Sequence, residues 1–323
     1  MKKEYINFES LSLRPQYLNE YIGQEKIKEA LNVFISAAKT RNEVLDHILF
    51  YGPPGVGKTT LSNIIAHEMD APLTLVSGPT LEKPADIISI LTHIEEGAII
   101  FIDEIHRISL SVEEVLYSAL EDYKIGIYSK NYQQTRPINI DLVPFTLIGS
   151  TTKPSLLSSP LRACFGLKFH LQKYSEDDLV KIIFRTSKIF NMKISNSAAL
   201  ILAKRARGTP RIANTFYKRA RDFATFAQIE EIDDNIAKKT LIALNIDKFG
   251  LNINERKYLR VLKERFLGGP VGIEALAYAL NEDKKNVEEM YEPYLLQIGF
   301  IERTIKGRKL TKSAENYLKS LKM

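Results

Sequence analysis

The sequence predicts an α/β protein: a P-loop core on a parallel sheet, then a helical domain, then a winged helix. Three observations predict it. Residues 52–60 read GPPGVGKTT. Short apolar segments alternate with helical ones through the first half of the chain, as in a parallel α/β sheet. The last segment shows short helices, then strand, turn and strand, and its final 25 residues carry seven Lys/Arg against two acids.

The totals narrow the class. At 323 residues the chain is long enough for two or three domains of ~100–200 residues. No apolar run reaches the ~18–20 residues of a membrane span. The start, MKKEYINFES, has two lysines with no apolar stretch behind them and does not read as a signal peptide. One cysteine, Cys164, leaves no internal disulfide framework and no Cys-cluster zinc site. These features point to the cytoplasm. The net charge of +6 sits almost wholly in the last 25 residues, which points to a polyanionic partner.

The first block, 1–173, holds the chemistry. Strands are expected at 47–51, 73–77, 98–102 and 145–150. Gly52, four residues, then Gly57-Lys58-Thr59 is P-loop spacing between an apolar strand (HILFY) and an apolar-periodic helix at 61–69. Glycines let backbone amides converge on phosphate oxygens, Lys58 supplies a point charge, and the Thr59 hydroxyl can ligate Mg²⁺. The helix dipole adds positive potential at the same place. Some 45 residues on, IIFIDE brings Asp103 and Glu104 to the carboxyl end of a buried strand. Asp103 is expected to hold Mg²⁺ through water and Glu104 to polarise the attacking water.

The second block, 174–246, reads as helix throughout. Ser175-Glu-Asp-Asp178 resembles a capping box, and amphipathic segments follow at 196–205 and 212–226. In the third block, 247–323, helices are expected at 254–266 and 273–280, with a third from 283 to about 294. A basic hairpin with a Lys306-Gly307 turn follows. Arg303 and Arg308 lie on opposite arms of this wing, suited to phosphate oxygens. The third helix continues VEEMYEP, whose acids would repel a groove, so contact with nucleic acid is expected to be to the backbone and without sequence preference.

Further marks resemble the AAA+ ATPases. Thr152, ending FTLIGSTT, matches the sensor on the γ-phosphate or lytic water, and Arg211 of GTPR matches the second sensor, reaching over the phosphates from a lid. The resemblance narrows with LRP at 13–15, YIGQ at 21–24, SGPTLEKPADI, FIDEIHRIS, VEEVLYSALEDY, RARGTPRIAN and GGPVGIEALA, in order over nearly the full length. Together these resemble the RuvB family of bacterial Holliday-junction branch-migration motors. The resemblance implies ATP and Mg²⁺ as cofactors and a homohexameric ring around duplex DNA. It also implies loading by RuvA and resolution of the same junction by RuvC. Leu13, Arg14 and Tyr174 would surround adenine and ribose; Gly52, Gly55, Gly57, Lys58, Thr59 and Thr60 would hold phosphates; Glu121, Asp122 and Tyr123 would complete the pocket. A β-hairpin at 124–142 would dock on RuvA.

One position departs from the family. Two residues before Gly166 the family carries an arginine that enters the neighbouring subunit's ATP site; here it is Cys164. Inter-subunit activation is therefore expected to be weakened, or rerouted through Arg162 by a small shift of the segment, expected to be extended. Two rivals use the same ATPase modules. A clamp-loader-type switch ends in a helical collar, which 247–323 opposes, and a protein remodeller does not require the basic wing.

Overall fold

In the computed structural model, residues 13–128 and 137–321 are described. The chain divides into two compact units, Met1–Ile232 and Asp233–Met323. Among the described residues no helix is long and apolar enough to cross a membrane.

The first unit is built on a five-stranded sheet of β1 (Ile48–Tyr51), β2 (Leu73–Ser77), β3 (Ile99–Asp103), β6 (Thr146–Thr151) and β7 (Leu167–His170), ordered β2-β3-β6-β1-β7. Every pairing is parallel. The continuous apolar runs of β1 and β3 are buried because helices cover both faces. Four strands stand where the sequence places them, shifted by about one residue. The edge strand β7 was not anticipated: its LKFH alternates between part-buried and exposed positions and shows no apolar run. Register sets Tyr51 beside Thr151 and Ser77 beside Asp103, so the carboxyl ends of the strands form one edge. Helices Pro84–Leu91 and Leu110–Asp122 close one face through a core that includes Ile87, Leu116, Ile100 and Phe165.

His47 ties β1 to β6 at the opposite, amino end of the sheet. The Leu147 N–H donates to its Nδ1 (3.0 Å), and Nε2 faces the Leu120 carbonyl at 3.3 Å, so the proton sits on Nε2. Burial lowers its pKa and keeps the ring neutral, with weaker opposition from the Leu120 carbonyl and nearby acids.

β4 (Lys124–Tyr128) and β5 (Pro137–Asp141) form the anticipated antiparallel hairpin. Its tip, 129–136, lies outside the described residues.

Three helices follow, Glu176–Ile189, Asn196–Arg205 and Pro210–Phe226. Ser175 accepts the Asp178 N–H, one half of the anticipated capping box; its hydroxyl donates to Asp178 Oδ2 at 2.8 Å. A two-residue parallel pair, β8 (Lys193–Ile194) with β9 (Glu231–Ile232), joins segments too short to show a period.

In the second unit, Asp234–Ala243 precedes Ile253–Phe266, which opens on a full capping box of Asn252 and Glu255. Ile273–Leu280 follows. The expected third helix is interrupted: Lys284–Asn286 passes into a π turn, Val287–Tyr291, then Glu292–Gln297. Pro293 cannot donate to the carbonyl four residues back, and the Glu292 N–H reaches Val287 instead. β10 (Ile301–Thr304) and β11 (Gly307–Leu310) form the wing. A final helix, Lys312–Ser320, was masked in the sequence by its charge; Ala314, Tyr317 and Leu318 bury its apolar face.

Candidate active site and nucleic-acid face

The P-loop leaves β1 at Tyr51 and enters helix Lys58–Glu68. Two glycines are required by close approach. At Gly52 (φ 141°) a Cβ would meet the Leu171 carbonyl oxygen at 2.2 Å, and at Gly57 (φ 107°) the Tyr21 hydroxyl at 2.4 Å. Tyr21 Oη donates to the Val56 carbonyl (3.2 Å) and accepts from Tyr174 Oη (2.7 Å), bracing the loop from behind. Leu61 makes an early bond of the helix, to Gly57 (2.9 Å). The preceding amides of Lys58, Thr59 and Thr60 mark its positive end. Lys58 is buried and its Nζ donates to the carbonyls of Gly52 and Pro53, 2.9 Å each. Burial lowers its pKa, and the nearby Glu104 and Asp103 oppose that shift.

Across the loop stand the acids that end β3. Asp103 Oδ1 accepts from the Ser150 hydroxyl and from the Glu104 N–H (3.1 Å). Glu104 occupies left-handed backbone (φ 52°). Its Oε2 accepts from Thr152 Oγ1 at 3.2 Å and lies 3.2 Å from His106 Nδ1.

These groups border a cavity of about 400 Å³. Of the residues singled out in the sequence, Leu13, Arg14, Gly55, Gly57, Lys58, Thr59, Thr60, Asp103, Glu104, Tyr174 and Arg211 line it. Thr152 reaches it through Glu104. Glu121, Asp122 and Tyr123 do not line it. Tyr123 packs edge-on to Phe145 (5.7 Å) at the far end of Leu110–Asp122, because the helix carries the segment away from the P-loop. Sequence reasoning missed Tyr21, His106 and Arg185, whose Nη1 donates to the Leu13 carbonyl at 2.6 Å. His106, two residues past Glu104, and Tyr21, the first residue of YIGQ, lie in motifs already quoted; Arg185 carries no local signal.

The cavity suits a nucleoside triphosphate. Its size falls in the usual ligand range. Its lining includes Leu13, Ile22 and the Tyr174 ring, suited to a base, and Lys58, Arg211 and P-loop residues, suited to phosphates. The Thr59 hydroxyl and the Asp103 carboxylate are hard oxygen donors of the kind Mg²⁺ takes alongside phosphates and water.

Cys164 ends a short helix, Ser159–Cys164, not an extended segment: Ser158 caps it and Pro160 suits its first turn. The helix puts Arg162 on another side from Cys164, since two residues of helix turn about 200°. Glu121 faces the thiol. Burial and then that carboxylate push the Cys164 pKa up to about 11, so it carries no charge at neutral pH.

The wing is arranged differently from expectation. Arg303 and Arg308 face each other across β10 and β11, and both turn onto Glu292, which is fully buried. Arg303 donates through Nε (2.9 Å) and Nη2 (2.5 Å); Arg308 donates through Nε to Glu292 (2.8 Å) and through Nη2 to Glu288 (2.7 Å). The Tyr258 hydroxyl donates to Glu292 as well (3.2 Å). Two of the three acids of VEEMYEP, Glu288 and Glu292, therefore do not face an approaching groove unopposed; the wing arginines pair with them. The Arg308 side chain is 13% exposed and that of Arg303 49%. Arg308 is thus a brace, turned inward by two carboxylates, and Arg303 keeps an outer edge. Arg308→Ala is expected to destabilise the second unit by about 2–3 kcal/mol, and Arg303→Ala by under about 1 kcal/mol. Calorimetry of the full chain checks this; equal shifts would contradict it.

Comparison with known proteins bears on the same features. Family models match in order: the Holliday junction DNA helicase RuvB P-loop domain over residues 13–171, the RuvB AAA lid domain over 174–247, and the RuvB C-terminal winged helix domain over 248–319. The Holliday junction branch migration complex subunit RuvB of Lactococcus lactis is 50% identical over 307 residues, covering 95% of this chain and 92% of that protein. Its Streptococcus agalactiae counterpart is 52% identical with the same coverage. The solved structure of the Thermotoga maritima RuvB Holliday junction branch migration motor superimposes with a TM-score of 0.84 at 47% identity, over 95% of this chain and 98% of that one. A P-loop core, lid and winged helix in this order, with about half of all residues shared along nearly the whole length, mean that the chain belongs to the RuvB family of AAA+ ATPases.

Proposed function

We propose that the chain is an ATP-driven motor that moves duplex DNA and so drives branch migration of Holliday junctions in recombination and repair. It would act as a Mg²⁺-dependent homohexamer in the cytoplasm, with RuvA as loader and RuvC as resolvase. The ATPase core would extend to about residue 173, the lid to 246 and the winged helix to 323. The observation that carries this reading is one cavity in which P-loop amides, Lys58, Glu104 and lid Arg211 converge.

Lys58 and the amides of residues 58–60 hold the phosphate oxygens. Thr59 and Asp103 would hold Mg²⁺, whose charge would offset that of the phosphates. Glu104 polarises the attacking water, Thr152 orients Glu104, and Arg211 reports the phosphate state to the lid. Motion of the lid against the core would pull on the bound duplex.

Glu121 faces Cys164, away from the chain's own cavity. This surface is the one we assign to a neighbouring subunit's nucleotide, so Glu121, Asp122 and Tyr123 would complete the next site in a ring. The hairpin β4–β5 would dock on RuvA. The wing would meet phosphates through the outer edge of Arg303 and lysines such as Lys306, with Arg308 holding the wing in place. Contacts of that kind carry no base readout, and binding should fall steeply with salt.

A synthetic four-way junction tests the reading. Wild-type protein with RuvA should dissociate it only with ATP, and Glu104→Gln should not. ATP turnover unaffected by any DNA, with no junction dissociation, would favour a protein remodeller without DNA contact.

A further inference from the structure

The structure holds Glu104 by a residue that no motif reading assigned. His106 sits on the short turn Ile105–Arg107, directly after β3. Its side chain is 8% exposed. Nδ1 lies 3.2 Å from Glu104 Oε2 and 2.9 Å from Thr151 Oγ1, the last residue of β6. The Thr151 hydroxyl oxygen is itself fixed by the Lys153 N–H at 3.0 Å. An ionised carboxylate only accepts, so the imidazole can hold Oε2 when Nδ1 carries the proton, and Thr151 Oγ1, the hydrogen-bond partner of Nδ1, can then accept from the same N–H.

We propose that His106 is the positioning residue for Glu104. It pins Oε2 from the protein side, together with Thr152, and leaves the other oxygen to polarise water. Glu104 needs such a restraint. Its side chain leaves a left-handed residue at the end of a strand, where neither a helix nor a sheet limits its rotamers. Because His106 also contacts β6, movement at Thr151 and Thr152 would be passed to Glu104 through the same imidazole. A catalytic group misplaced by ~1 Å can lose about 10²-fold in rate.

The inference rests on Glu104 being the group that activates water, and the experiment separates the two. Steady-state ATPase and titration with a non-hydrolysable ATP analogue are measured for the full-length wild type, Glu104→Gln, His106→Ala, His106→Asn, His106→Gln and the double variant Glu104→Gln/His106→Ala. His106→Ala should lower kcat by ~10–10²-fold with analogue affinity unchanged. His106→Asn, whose amide N–H stands where Nδ1–H stood, should recover most of the rate; His106→Gln should not. The double variant should be no slower than Glu104→Gln alone, because both act through one group. If Glu104→Gln stays active, the reading of Glu104 fails. If Glu104→Gln is inactive while His106→Ala keeps its kcat, or while Asn does no better than Gln, the positioning role fails. Should His106→Ala not fold, the Asn and Gln variants decide between these outcomes.

Discussion

Glu104→Gln is expected to lower the ATPase kcat by ~10²–10⁴-fold while nucleotide affinity stays near wild type. The substitution keeps shape. The amide oxygen can still accept from Thr152 Oγ1, which lies 3.2 Å from the native carboxylate, so the local backbone has no cause to move. What is lost is charge. A carboxylate can draw a proton from water as attack begins, and a neutral amide cannot. On the proposed reading phosphate binding would not depend on that charge, because Lys58 and the P-loop amides, also in the cavity lining, would hold the triphosphate. Removing the acid also removes one influence that favours the charged form of Lys58, which burial opposes. The ammonium should remain protonated near neutral pH all the same, since Asp103 persists. Steady-state hydrolysis and titration with a fluorescent nucleotide give the two quantities separately. A variant that hydrolyses ATP near the wild-type rate would remove Glu104 from the mechanism.

Cys164→Arg is expected to act in the opposite direction, raising ATPase at least ~10-fold, a part of the ~10³–10⁵ that an arginine supplied in trans can provide. A neutral thiol with its pKa pushed up to about 11 offers nothing to a developing negative charge. Cys164 also lies on a surface away from its own cavity, so an arginine there would serve a neighbour. The gain should therefore appear only under conditions where subunits assemble, and should vanish on dilution. Arg162 is poorly placed to substitute. The helix Ser159–Cys164 sends the two side chains in opposed directions, and Arg162 Nη2 leans toward Ser159 Oγ at 3.5 Å. Arg162→Ala should leave the rate unchanged. A flat response in Cys164→Arg, together with a loss in Arg162→Ala, would show that activation is rerouted through Arg162.

Much of the candidate site was legible in the chain because its chemistry is local. Gly52, Gly57, Lys58 and Thr59 must sit on one tight turn, so spacing alone reveals them. Asp103 and Glu104 must end a buried strand, and the apolar run IIFI announces one. The helices of the second block were legible for a similar reason, since amphipathic periods repeat within a dozen residues. Where a pattern was absent, the reading failed. β7 alternates polar and apolar over four residues and could pass for a loop. The last helix hid behind its lysines. The π turn at Val287–Tyr291 needed the knowledge that Pro293 would fall just where a continuous helix requires a donor.

The sequence by itself therefore determined the class of ligand, the carboxylates offered to it and the three-part architecture, because each depends on residues close together in the chain. Tertiary packing alone decided which groups hold those residues in place. Tyr174 reaches Tyr21 across 153 positions to brace the P-loop, and Thr152 reaches Glu104 across 48. Arg303 and Arg308, read as outward cations, turn onto a buried Glu292 instead. A charge can be counted along a chain, but its direction is set by where the nearest opposite charge is buried. Only the folded arrangement of helix and wing fixes that.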